Sequence, residues 1–257
     1  MTDITLTMFQ CGQLRFRMPG AAEGEYAHVP VPWFFIQHPR GNIVVDGGNA
    51  LQAVSDPRGH WGPVADSFFP VMTEADFCVN ALQSAGNDPS SVRYVIQSHL
   101  HHDHTGAIGN FPGALHVVRR REYQYAFTPD WFTAQAYCRK DFDKEGLEWE
   151  LLDDAPVIDF FGDGTVQLVF TPGHSVGHQS ILVNLPETGP MLLAIDAVMF
   201  LDHWERRGVP GLTTSMMEAV RSIENLRSLC RRTGATLVPG HDGAALSKFN
   251  FAPGVYR

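Results

Sequence analysis

The sequence predicts an α+β fold: two packed β-sheets with helices outside and a polar site at one edge of the sandwich. Three observations lead there. Short β-rich runs recur along the chain, two longer stretches carry apolar residues at helical spacing, and each polar cluster of histidine or aspartate directly follows a strand.

The chain opens as sheet. Ile4, Leu6 and Met8 alternate with polar neighbours, and two β-rich runs over 31–37 and 42–45 are joined by the turn signal His38-Pro39-Arg40-Gly41. Residues 73–85 have helical character, with Gly86 as the C-cap. A buried strand over 92–97 runs into Ser98-His99-Leu100-His101-His102-Asp103-His104-Thr105-Gly106, which puts the histidine cluster on a loop after a strand.

The strand over 115–118 is followed by an aromatic stretch over 123–131. Its Phe127-Thr128-Pro129-Asp130 prevents a long helix, because the residue before a proline is pushed out of the helical region. This middle region reads as a lid or an insertion. A strand over 166–170 ends in Thr171-Pro172-Gly173-His174, and runs over 181–185 and 192–195 pair around Glu187-Thr188-Gly189-Pro190 before stopping at Asp196. Residues 214–232 carry Met217, Val220, Ile223, Leu226 and Cys230 at helical spacing, stop at Gly234, and give way to Thr236-Leu237-Val238-Pro239-Gly240-His241.

At 257 residues and 44% hydrophobic, the chain can bury one large core, and a single domain over residues 1–257 is expected. The formal charge of −9 has no compensating basic block; Arg119-Arg120-Arg121 is followed at once by Glu122. That argues against nucleic acid or an anionic membrane as a partner, and against nuclease activity. The 4 cysteines, Cys11, Cys78, Cys138 and Cys230, stand far apart without a CxxC pair, and read as reduced and mostly buried. The start of the sequence lacks a basic, then apolar, leader pattern, and no apolar run is long enough to span a bilayer, so a cytoplasmic protein is expected. The pairs Gly47-Gly48 and Gly106…Gly109 lack the spacing of a nucleotide-binding loop.

His99, His101, Asp103 and His104 are too close together for all four to serve one tetrahedral ion. A loop can divide them between two. A lone histidine is usually an ordinary core or surface residue; three with an aspartate in HxHxDH order point to metal. Such a cluster is costly to bury unless a cation offsets the aspartate and gives each imidazole a partner.

With the later His174, Asp196 and His241 in order, this motif resembles the metallo-β-lactamase superfamily over nearly the whole chain. The resemblance implies the αββα sandwich of that family. It implies that His99, His101 and His174 hold one divalent metal, that Asp103, His104 and His241 hold the other, and that Asp196 bridges them, with a hydroxide between. Asp103 and Asp196 are thereby the residues closest to catalysis. Zinc is the default ion for this donor set, although iron, manganese or cobalt suit the same nitrogen and oxygen atoms. Asp103 beside His104 points away from true β-lactamases.

Within the superfamily the likeness is to N-acyl-homoserine lactone and γ-butyrolactone lactonases. It is carried by Val44-Val45-Asp46-Gly47-Gly48-Asn49, Asp56-Pro57-Arg58-Gly59-His60-Trp61-Gly62, Ala126-Phe127-Thr128-Pro129-Asp130-Trp131-Phe132 and Leu201-Asp202-His203-Trp204-Glu205. It implies a small lactone as substrate and a homodimer, with residues 50–72 as an arm onto the second subunit or a loop over their own core. The rival readings are a thioesterase of the glyoxalase II kind and a metal-bound protein without turnover.

One departure stands out. Lactonases of this kind usually carry a tyrosine three positions after the bridging aspartate, and Met199 occupies that place here. A thioether cannot donate a hydrogen bond. His203, or a tyrosine of the aromatic stretch, is a candidate replacement, against plain packing or helix capping for His203. Met199 and His102 are candidate substrate contacts, His102 lining the pocket or facing solvent. Asp46 and His178 are candidates to orient the metal ligands, Asp46 against a simple turn role. Among Trp33, Phe34, Phe69, Phe127, Trp131 and Phe132, two are expected to touch an acyl chain and the rest to be core.

Overall fold

The structure is a computed structural model, which describes residues 3–17, 22, 24–206, 208–209 and 211–257. Strands β1 (Thr5–Phe16) and β2 (Ala27–Gln37) pair antiparallel from Thr5 opposite Gln37, and β3 (Asn42–Val45) turns back along β2. Two short helices, α1 (Gln52–Ser55) and α2 (Pro57–Trp61), and a 3-10 turn over Gly62–Asp66 lead to β4 (Phe68–Val71), on the far side of β1. After α3 (Cys78–Ser84), β5 (Val92–Ile96) and β6 (Leu115–Arg119) add parallel to β3, and α4 (Arg120–Phe127) and α5 (Arg139–Phe142) precede β7 (Trp149–Leu152). The resulting sheet has the order β4-β1-β2-β3-β5-β6-β7.

The second sheet comes from the rest of the chain: β8 (Val157–Asp159), β9 (Val166–Phe170), β10 (Gln179–Leu185), β11 (Gly189–Ile195) and β12 (Thr236–Pro239), in the order β12-β11-β10-β9-β8. Helices α6 (Leu201–Glu205) and α7 (Met216–Thr233) lie between its last two strands, and α8 (Gly243–Leu246) follows.

Alternating side chains explain the layers. Leu6, Met8, Phe34, Ile36, Ile43, Val45 and Ile96 point inward from the first sheet and meet Leu168, Ile181, Val183, Leu193 and Val238 of the second. Their sequence neighbours Phe9, Trp33, Phe35, Val44 and Val95 point outward, onto Cys78 and Leu82 of α3 and Trp61 of α2. On the other flank Leu182, Leu192 and Ala194 meet Ile223, Leu226 and Leu229 of α7. Both faces of each sheet are covered, so the central strands read as nearly continuous apolar runs. Each fully buried Leu, Ile or Val stabilises the fold by about 1.5–3 kcal/mol.

The 73–85 helix is shorter than expected. Thr73 and Asp76 close a capping box on a 3-10 turn, Glu74–Asp76, and Phe77 at ψ 135° breaks the path, so α3 begins only at Cys78. Gly86, at φ +81°, does close it. Residues 50–72 pack on their own chain through Trp61, Val64 and Ala65.

Candidate metal centre

Strands β3 and β5 of the first sheet run parallel, as do β9, β11 and β12 of the second, and their C-terminal ends carry the polar residues. Asp46 follows β3, residues 98–105 follow β5, His174 follows β9, and Asp196 and His241 follow β11 and β12. Gln179 joins the two sheets beneath the site. Its backbone N–H donates to Ser98 O at 2.9 Å and its side chain to Gln97 O at 2.9 Å, while its amide oxygen accepts from Arg119 Nε at 2.8 Å.

The glycines of the two late motifs are needed for close approach. A Cβ on Gly173, at φ +133°, would stand 2.2 Å from Ala219 N, and one on Gly240 would stand 2.7 Å from Ile195 O and 3.0 Å from Asp196 Oδ1.

All seven expected ligands converge here, each nearly buried. Potential ligand atoms of His99, His101 and His174 lie within 4.8 Å of one another, and so do those of Asp103, His104 and His241, and of His99, His104 and Asp196. Asp196 stands between the groups: Oδ2 is 3.1 Å from His174 Nε2, and Oδ1 is 3.1 Å from His241 Nε2 and 3.5 Å from His104 Nε2. His101 Nδ1 and His174 Nε2 are 2.9 Å apart.

The outer nitrogens of four rings have partners. His174 Nδ1 lies 2.8 Å from Leu212 O, His241 Nδ1 2.8 Å from Pro30 O, His104 Nδ1 2.9 Å from Asp46 Oδ2 and His99 Nδ1 2.9 Å from Ser98 Oγ. The Ser98 hydroxyl donates to Asp46 Oδ2 at 2.8 Å and so accepts from His99. Protons held at these Nδ1 atoms leave Nε2 lone pairs aimed at the centre. His99 Nε2, His101 Nε2, His104 Nε2 and Asp196 Oδ1 are buried without a hydrogen-bond partner. Buried polar atoms are seldom left so, and an all-nitrogen-and-oxygen set of this kind fits divalent cations.

Electrostatics point the same way. Burial, reinforced by the neighbouring imidazoles, pushes His99 and His101 well below the ordinary histidine range. Burial also opposes charge on His104, yet Asp103, Asp196 and Asp46 outweigh it and raise that ring to about 10. Asp196 would be raised by burial, but His241, His104 and His174 hold it well below the usual carboxylate range. The carboxylates of the cluster thus favour a cation beside them, which without metal is the proton on His104.

The metallo-β-lactamase superfamily profile matches residues 27–241. The chain belongs to that superfamily. It is 52% identical over 262 residues to N-acyl homoserine lactonase AttM of Azorhizobium caulinodans, covering 100% of both chains. It is 32% identical over 224 residues to N-acyl homoserine lactonase AiiA of Bacillus thuringiensis subsp. kurstaki, covering 85% of this chain and 84% of that one. Among solved structures, an N-acyl homoserine lactone hydrolase with the product N-hexanoyl-L-homoserine at its catalytic metal centre superposes with a TM-score of 0.87 at 28% identity, over 100% of both chains. The two mixed sheets flanked by helices are this superfamily's fold.

Other expected site residues fall as follows. Asp46, at φ +66°, spends its carboxylate on Ser98 N at 2.7 Å as well as on the Ser98 hydroxyl and His104. His178 pairs with Thr171 Oγ1 at 2.8 Å and its Nε2 accepts from Asp196 N at 3.2 Å; burial lowers its pKa to about 3, so the ring is a neutral acceptor. His102 does not face solvent: it is buried, with its ring 4.2 Å from that of Trp61. Met199 directly follows the 3-10 turn Asp196–Val198, and its carbonyl accepts from His241 N at 2.8 Å. His203 is half-buried and packs edge-on against Phe200. Trp33 and Phe34 are core, whereas Trp131 is 89% exposed.

Two supporting residues escaped the sequence reading. Glu122 is buried and accepts from Leu100 N at 3.0 Å, Gly177 N at 2.9 Å and Tyr137 Oη at 3.3 Å, so it ties both histidine loops to α4. Arg119, the first of the run Arg119-Arg120-Arg121, is fully buried and donates to Gln179 and to the carbonyls of Asp153, Ala155 and Leu168. The signal was the apolar strand leading into Arg119, which carries the chain inward.

Proposed function

We propose that this protein is a dinuclear metal-dependent lactonase that opens the rings of N-acyl homoserine lactones or γ-butyrolactone-type esters. The observation that carries the reading is the convergence of seven histidine and aspartate side chains, four of which keep a buried nitrogen or oxygen without a hydrogen-bond partner. The substrate class is supported by full-length likeness to AttM and by the product-bound lactone hydrolase.

In this reading His99, His101 and His174 hold one ion, Asp103, His104 and His241 hold the other, and Asp196 serves both. Bound there, two divalent cations supply an activated water at neutral pH and a Lewis acid for the ester carbonyl. The residues of the chain fix the geometry. Asp46, Ser98, Leu212 O and Pro30 O hold the imidazole tautomers, and His178 orients the Asp196 backbone. Burial excludes bulk water and strengthens each electrostatic contact.

Zinc is the ion favoured by these donors. We infer a homodimer, supported by the exposed Phe69 and Val71 on the edge strand β4, and a cytoplasmic setting, supported by four free cysteines. No helix among the described residues is long and apolar enough to cross a membrane.

The test is pH-stat hydrolysis of γ-butyrolactone and of short- and long-chain N-acyl homoserine lactones by metal-quantified protein, with His101→Ala as the control. Lactone turnover that disappears in His101→Ala is expected. Thioester turnover without lactone turnover, at about two metals per chain, would refute the substrate class.

A further inference from the structure

A second cluster of metal-ligating side chains lies beside the centre and outside it. His60 comes from α2, Cys138 from the residue before α5, and Asp141 from α5 itself. A ring nitrogen, a sulfur and a carboxylate oxygen of these three lie within 4.8 Å of one another. We propose that they form a third metal site, for a zinc-class cation held by one imidazole, one thiolate and one carboxylate.

The chemistry of the donors supports this. Asp141 is 1% exposed, and the basic side chain in contact with it is His60, whose Nε2 is 2.6 Å from Asp141 Oδ1. A thiolate and a carboxylate together carry two negative charges, which one divalent cation cancels. The buried site then has no net charge, the condition under which burying ions is least costly. Binding releases the proton on Cys138 Sγ to solvent, and the proton that His60 Nε2 holds toward Asp141 moves to Nδ1 or leaves with it; burial and the nearby Asp141 otherwise keep the thiol protonated, pushed up to about 12.

The sulfur selects zinc or cadmium over magnesium or calcium. Three protein ligands leave a fourth tetrahedral position for water, and the His60 side chain, 10% exposed, gives access. In such a geometry ligand atoms stand roughly 3–4 Å apart, so the His60–Asp141 contact opens by about an ångström. The site touches the main centre indirectly. Asp141 Oδ2 accepts from Thr105 Oγ1 at 2.7 Å, one residue past His104, and Trp61, next to His60, packs at a tilt against His102.

The centre described above contributes no sulfur, so a thiolate-to-metal charge-transfer band reports this site alone and does not depend on the lactonase reading. Holoenzyme is titrated with Cd2+ and followed in the ultraviolet, with bound metals counted. The expected band saturates at one ion per chain, survives Cys11→Ser, Cys78→Ser and Cys230→Ser, and is absent from Cys138→Ser. Asp141→Asn, which keeps an acceptor for Thr105, should retain its circular dichroism and bind Cd2+ at least tenfold more weakly. No band in the wild type, a band that persists in Cys138→Ser, or unchanged affinity in folded Asp141→Asn overturns the proposal.

Discussion

Replacing Asp46 by asparagine isolates the role of a carboxylate that touches the candidate ligands without being one of them. Asp46 is fully buried and accepts three hydrogen bonds, from Ser98 N at 2.7 Å, Ser98 Oγ at 2.8 Å and His104 Nδ1 at 2.9 Å. An ionised carboxylate only accepts; an amide of the same shape has one accepting oxygen and one donating NH2. If the NH2 faces His104, the ring must move its proton from Nδ1 to Nε2, the atom 3.5 Å from Asp196 Oδ1, and loses the lone pair a metal needs. If it faces Ser98, a buried backbone donor is orphaned at a cost of about 1–3 kcal/mol. The first orientation damages the half of the centre containing His104, and the second loosens the start of the loop that carries His99. Changes behind a metal ligand typically cost about 10–100-fold in metal affinity, or about 1.4–2.7 kcal/mol. Competition with a chromophoric chelator, on protein whose circular dichroism is unchanged, should show one of two ions lost first, with turnover falling alongside. An Asp46→Asn protein that binds both ions with wild-type affinity would refute the tautomer argument.

Glu122→Ala leaves Leu100 N and Gly177 N without an acceptor and should cost about 3 kcal/mol. That is a fall of roughly 6–12 °C in Tm, and a thermal melt within about 2 °C of wild type would mean the histidine loops are held by something else. Burial, then the Asp76 charge at Cys11 and the Asp141 charge at Cys138, raises both thiols from 9.0 to about 12. Raising a thiol's pKa lowers its thiolate fraction, here to about 1 in 10,000 at pH 8. Iodoacetamide followed by mass spectrometry should therefore modify the half-buried Cys230 first, with reaction at Cys11 and Cys138 rising only toward pH 12; equal labelling of Cys138 and Cys230 at pH 8 would contradict the shift. Met199→Tyr supplies a hydroxyl donor beside Asp196, and kcat on a lactone should rise about tenfold or more with a smaller change in KM; an unchanged kcat would show that position 199 does not face the reacting carbonyl.

The features legible in the sequence share one cause: they are local. Strand periodicity around Ile43–Val45, the His99–His104 motif and the Gly234 cap each depend on neighbours in the chain, and each falls where it was expected. What escaped depends on contacts across long separations. Nothing near Glu122 announces that its carboxylate reaches Gly177, 55 residues on, or near Arg119 that its guanidinium reaches Gln179, 60 residues on. Asp46 lies between: its place after a strand and its candidacy to orient a ligand histidine were readable, but not that the histidine is His104, 58 residues away. The start of α3 was misplaced because the capped turn at Thr73 stays 3-10 and Phe77, at ψ 135°, leaves the helical region before Cys78.

The first sheet is drawn entirely from residues up to Leu152 and the second entirely from Val157 onward. The first half carries His99, His101, Asp103 and His104, and the second carries His174, Asp196 and His241, so neither half alone has a complete set. In the proposed assignment, an ion shared by His101 and His174 would join residues 73 apart in the chain. In polymer terms that is a cross-link closing a loop of the size for which a disulfide is worth about 4 kcal/mol. Metal at this seam would add a clasp to the apolar face the two halves already share, and after a backbone cleavage at 153–156 it would strengthen the reunion of the two fragments.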